Sequence, residues 1–146
     1  MSKPHWLAPG GKTRTPRVVI SFDTETTEVV LETNSAMTLR CWDAVVRHRN
    51  QVPARFNRRR YYSGERASAL AGLVEYQATD SDECWVFAHN VSFDLAVTSL
   101  PFILVERGWL LEGVHLGDES TWWILKSGRR KIIITDSWSW VRCSLA

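Results

Sequence analysis

The run Arg17-Val-Val-Ile-Ser-Phe22 is the stretch that most restricts how this chain can fold. Its apolar residues fall on both even and odd positions, so neither face suits water, and it reads as a strand buried on both sides. It runs directly into Asp23-Thr-Glu-Thr-Thr27, which carries acids out of the most buried part of the sequence.

The rest of the chain supplies a sheet for that strand. MTLRCWDAVVRHRN (37–50) and RRRYYSG (58–64) read as second and third strands in antiparallel hairpins. ERASALAGLVEYQATD (65–80) spaces Ala67, Leu70, Ala71 and Val74 as one face of a helix. ECWVFAHN (83–90) is a short buried strand. A helix follows from Phe93, with Phe93, Ala96, Val97 and Leu100 predicted on one face; Pro101 kinks or restarts it and Gly108 ends it. WLLEGVHLG, STWWILKSG and RKIIITDSW are three further strands, the last two joined at Ser127-Gly128-Arg129. The order β-β-β-α-β-α-β-β-β predicts an α/β domain with a mixed sheet. Residues 1–16, with their prolines and paired glycines, read as a flexible leader, and 17–146 as the domain.

Composition removes several classes of function. A net charge of +2 does not mark a nucleic-acid binder globally, although Arg47, Arg49, Arg55, Arg58, Arg59 and Arg60 crowd one region. Three cysteines without a CxxC spacing or a neighbouring His argue against a zinc site, and free thiols point to a reducing, cytoplasmic setting. The longest apolar region is broken by Pro101, Glu106 and Arg107, too soon to span a bilayer, so no membrane partner is expected. No phosphate-binding loop, GxGxxG or Ser/His/Asp arrangement is present. The eight Trp read as core and hairpin packing.

What remains is acid chemistry. Asp23 and Glu25, two apart on a strand, project to one side. Paired carboxylates need a cation or a proton to coexist, and hard divalent cations such as Mg²⁺ suit them. A solvated strand exit is the alternative reading. FAHNVSFDL adds Asp94 in the first turn of the next helix, where Asn90 or Ser92 would cap. An acid there also complements the helix dipole, which needs no metal. If Val86–Ala88 lies beside Val18–Phe22, Asp94 comes within reach of Asp23 and Glu25, and capping does not explain three converging acids.

DTETT followed by NVSFD resembles the first two motifs, D-x-E-T and N-x-x-F-D, of DEDD-type 3′–5′ exonucleases. The DTETT form and the later TDSW stretch are most similar to the proofreading domains of family B DNA polymerases, including phage, plasmid, organellar and protein-primed ones. The resemblance covers most of residues 17–146 and implies a ribonuclease H-like mixed sheet flanked by helices. It implies that Asp23 bridges two ions of Mg²⁺ or Mn²⁺ ~4 Å apart, that Glu25 binds the ion carrying the attacking water, and that Asp94 supports the second ion. Thr26, Asn90 and Phe93 match positions that contact a single-stranded DNA 3′ end. For Phe93, a core helix position is the alternative.

The family also has a third motif, Y-x-x-x-D or H-x-x-x-D, on a later helix. No acid follows Asp136 in SWSWVRCSLA, and Asp136 reads as a turn or cap residue. Tyr76–Asp80 has the spacing but precedes the second motif, and it reads as a helix end. The expectation is therefore an incomplete exonuclease domain lacking the C-terminal helix, whose partner is the polymerase region of the same protein and which is weak or inactive alone. Trp138, Trp140 and Leu145 would then pack beneath that helix. Around residues 54–64, Arg58 and Arg59 alternate with aromatics as a phosphate- and base-binding hairpin would, or as a solvated hairpin tip. His89 reads as a strand-end residue. An RNA exonuclease of the same superfamily and a non-catalytic nucleic-acid-binding remnant are the rival functions.

Overall fold

In a computed structural model, residues 16–49, 59–79, 83–117 and 121–136 are described. They form a seven-stranded mixed sheet, in the order β3-β2-β1-β4-β7-β6-β5, and three helices. The strands are β1 (Val18–Val30), β2 (Ser35–His48), β3 (Arg60–Gly64), β4 (Glu83–Ala88), β5 (Leu110–Leu116), β6 (Thr121–Ser127) and β7 (Arg130–Asp136). The helices are α1 (Ala67–Thr79), α2 (Val91–Thr98) and α3 (Leu100–Glu106). The expected α/β class and mixed sheet are found.

The two hairpins β1–β2 and β2–β3 are antiparallel, as anticipated. The chain then crosses through α1 to the other side of β1, where β4 runs parallel to it from Val18↔Cys84 to Phe22↔Ala88. β7 runs parallel to β4 and ends at Ala88↔Asp136. A β5–β6–β7 meander finishes the sheet. β1 is longer than the sequence suggests. It keeps pairing with β2 through Val30, while β4 accompanies it only to Phe22. Asp23 and Glu25 therefore lie within a strand, just past the end of its parallel neighbour, and not on a loop.

One face of this sheet is the core. Ile20, Val46, Val86, Ile132 and Ile134 are fully buried there against Leu70, Ala71 and Val74 of α1 and against Leu100 and Leu104. Each such side chain contributes about 1.5–3 kcal/mol relative to exposure. The expected helical face of α1 is borne out at Leu70, Ala71 and Val74. The expected two-sided burial of Arg17–Phe22 holds on one side only. Val18, Ile20 and Phe22 are buried, whereas Val19 is half-buried and Ser21 exposed. The apolar odd positions continue across the sheet as Val45, Trp85, Phe87 and Ile133, all half-buried.

The second helical segment breaks in two. Ser99 takes a left-handed conformation, φ 51°, closing α2 through its N–H to the Leu95 carbonyl and opening α3 ahead of Pro101. α3 is tied back to α1 by Arg107, whose guanidinium meets Glu75 at 2.6 Å and the Ser68 carbonyl at 3.0 Å. The Trp109 indole donates to the other Glu75 oxygen at 3.0 Å. These ties hold the end of α3 against α1. Gly108 follows α3 at φ 94°, where a side chain would be strained, as its predicted role as a terminator requires.

Cys41 is half-buried and Cys84 buried, both as free thiols; burial pushes the Cys84 thiol up to about 12. Among the described residues no helix is long and apolar enough to cross a membrane.

Candidate functional site

In an open α/β sheet, ligands bind outside the carboxyl ends of the parallel strands, where the chain's connections diverge to either side. Here that point lies between β1 and β4. From β1 the chain turns toward β2 and β3, and it returns through α1 to β4. Phe22, Ala88 and Asp136 form one rung across the three parallel strands. Asp23 comes directly after the first of them, and α2 rises after the second. The sequence-predicted acids of the first two motifs thus belong to the same end of the sheet.

Asp94 defines the site. The predicted inner face of its helix (Phe93, Ala96, Val97, Leu100) is corrected by the structure. In α2 the buried residues are Val91, Asp94, Leu95 and Thr98, while Phe93 is exposed at 37 % and Ala96 is exposed. Only Leu100, already in α3, is buried as expected. The helix is rotated so that an acid, 2 % exposed, faces the sheet. Capping does not explain this acid. The cap belongs to Asn90, whose Oδ1 accepts from the Phe93 N–H at 3.4 Å. Asp94 Oδ1 instead accepts from the Thr24 hydroxyl at 2.6 Å, and its Oδ2 is buried without a hydrogen-bond partner.

Thr24 reaches Asp94 because it lies on the core face of β1, between Asp23 and Glu25, which face the other way. In register it sits beside Trp42 of β2, and Trp42 beside Gly64 of β3. Burial raises the proton affinity of Asp94; the Thr24 hydroxyl opposes that rise and the charge of Asp23 adds to it, while the Asn90 backbone and His89 act against it. Asp23 is thus within electrostatic reach of Asp94. Its own Oδ1 accepts from the Thr24 N–H at 3.0 Å.

The exposed face carries an acid that the motif pattern does not reveal. Asp43 of β2 stands directly opposite Asp23, and both are exposed. Like charges in that arrangement repel. The sign of it in the sequence is the antiparallel register of VVISFDTE against CWDAVV, which can be read only once the hairpin is known. Glu25 shares the face of Asp23, opposite Cys41. Immediately beyond it the ladder slips, with Arg40 as the extra residue on β2 before Thr26↔Leu39. Bulges of this kind re-aim side chains beside functional sites.

Among the described residues no group of three or more His, Cys, Asp or Glu side chains is placed to hold a metal ion. The nearest approach to the expected set is Asp23 with Asp94. Thr26 is half-buried on β1, and Asn90 and Phe93 are exposed at the start of α2. Arg59 is exposed just ahead of β3, two strands from β1, and does not join the crevice. Arg58, Asp80, Trp138, Trp140, Cys143 and Leu145 lie outside the described residues. No protein-family model, curated protein or solved structure matches the chain.

Proposed function

We propose that the chain is a divalent-metal-dependent 3′–5′ exonuclease domain of the DEDD type on a ribonuclease H-like fold, acting on single-stranded DNA ends and serving a family B DNA polymerase. The observation that carries this reading is the state of Asp94. A buried carboxylate with one oxygen lacking a donor, within reach of a second acid at a strand end, is costly unless a cation or proton joins it. The mixed sheet, with the acids at the carboxyl ends of its parallel strands, supports the same reading.

The donors are all carboxylate oxygens, which fit Mg²⁺ or Mn²⁺. Asp23 and Asp94 are the acids that stand within reach of each other. With Glu25, which faces away from Asp94 on β1, they are the residues that the motif resemblance assigns to two such ions. When bound, the ions would activate water and neutralise charge on the leaving 3′-oxygen. The remaining work falls to the chain's own groups. Asn90 spends its amide oxygen on the helix cap, which leaves its NH₂ to donate to the sugar-phosphate. The exposed Phe93 ring, one position before Asp94, offers a surface on which an unpaired terminal base stacks. Thr26 adds a hydroxyl on the same strand as Asp23.

The test is Mn²⁺ titration of residues 1–146 by calorimetry, followed by incubation with a 5′-labelled single-stranded oligonucleotide. The proposal expects Mn²⁺ binding that Asp23→Ala abolishes, with slow, metal-dependent shortening from the 3′ end. Metal-independent DNA binding that Asp23→Ala leaves intact would establish the non-catalytic module instead. Preferential shortening of an RNA oligonucleotide would move the substrate to RNA.

A further inference from the structure

We infer that Thr24 is a positioning residue for Asp94, its hydroxyl holding one carboxylate oxygen so that the other is kept for a hard divalent cation. This rests on the metal-dependent reading above and deepens it by assigning a role to the residue between the two acids of the first motif.

The argument starts from how thoroughly Asp94 is held. Its N–H donates to the Asn90 carbonyl at 2.9 Å, and its carbonyl accepts from the Thr98 hydroxyl at 2.6 Å. The main chain is thereby fixed on both sides. The side chain keeps two torsions, about Cα–Cβ and Cβ–Cγ. Burial narrows them, and a donor on Oδ1 fixes where the carboxylate plane points; Thr24 supplies that donor across 70 residues of sequence.

Thr24 suits the task for a reason that Ser or Asn in its place would meet less well. A β-branched side chain on a strand has few χ1 choices, and at 9 % exposure the neighbouring core restricts them further. The hydroxyl has one proton and gives it to Asp94, so the bond defines a direction. A hydrogen bond to an ionised acceptor contributes more than a neutral one. The arrangement leaves Oδ2 buried and without a hydrogen-bond partner. A group that orients a metal ligand through a hydrogen bond commonly changes metal affinity 10- to 100-fold when removed.

The experiment compares Mn²⁺ affinity in the full chain for wild type, Thr24→Val, Thr24→Ala, Thr24→Ser and Asp94→Ala, with folding followed by circular dichroism. Thr24→Val, nearly isosteric but without the hydroxyl, is expected to weaken Mn²⁺ binding at least about tenfold. Thr24→Ser should stay within about threefold of wild type. If Thr24→Val does not fold, Thr24→Ala against Thr24→Ser decides, because those two differ by a single oxygen. Wild-type affinity in the variants lacking the hydroxyl overturns the positioning role while leaving the metal site standing. Equal affinity of wild type and Asp94→Ala overturns both.

Discussion

Thr24 and Asp94 share a 2.6 Å hydrogen bond that joins the middle of the first acidic motif to the end of the second. Through it β1 and α2 are joined by a buried polar contact at the edge of the apolar core. The acid so held is destabilising as a carboxylate, because burial disfavours its charge.

Replacing that acid by its amide should therefore stabilise the fold at neutral pH. Asp94→Asn keeps an oxygen to accept from Thr24 and removes the charge. The folded-state proton affinity of Asp94 is raised, so its contribution is fully present below the ordinary carboxylate range and is lost as pH rises through the raised value. Urea denaturation with chelator present, across a pH series, should show Asp94→Asn gaining on wild type as pH rises, by on the order of 1 kcal/mol at the plateau. A constant difference at every pH would contradict the buried-charge account.

The facing pair Asp23 and Asp43 makes a different prediction. Removing one charge with Asp43→Asn should raise Tm by about 2 °C at low ionic strength. The gain should fade in 1 M salt, where screening shortens to about 3 Å. A salt-independent gain would place its origin elsewhere than in repulsion across the strands.

For Phe93, exposure on α2 separates binding from folding. Phe93→Ala should leave Tm nearly unchanged while weakening single-stranded DNA binding by about 1–3 kcal/mol, the usual worth of one stacked base. Fluorescence anisotropy with a labelled oligonucleotide measures it, and a large fall in Tm would return the ring to the core.

Gly64 is the packing test. A Cβ added there would stand 2.7 Å from Cζ2 of Trp42, whose indole is pinned by donating to the Arg66 carbonyl at 2.9 Å. Gly64→Ala should cost about 1–3 kcal/mol. Because Trp42 neighbours Thr24 in register, the same substitution should also reduce Mn²⁺ affinity.

Much of the framework was legible because local pattern and tertiary role agree there. The apolar run of Arg17–Phe22 does become a strand, and Leu70, Ala71 and Val74 do face the core. The short spacings of the first three strands do produce antiparallel hairpins. The reading failed where a residue's partner is far away in sequence. Locally, an acid four residues after Asn90 needs only the helix dipole to account for it, and the apolar Phe93, Ala96 and Val97 look like the buried side. What reverses them is Thr24, a polar anchor that no local periodicity contains. Asp43 was missed for a related reason, since cross-strand neighbours become visible only with the register. Two-sided burial was inferred from apolar character at both parities, which reports that both faces avoid water but not what meets them.

β1 has β4 at its side only as far as Phe22, so among the described residues the stretch from Asp23 to Val30 is bordered by β2 alone. Its other margin presents peptide groups in an extended row, opening toward the crevice. Recognition made through such groups is written in main chain and is invisible to alanine scanning, since that substitution leaves the amide in place. Replacing individual amides by esters along this margin would detect such contacts without the ring and the fixed φ that proline brings.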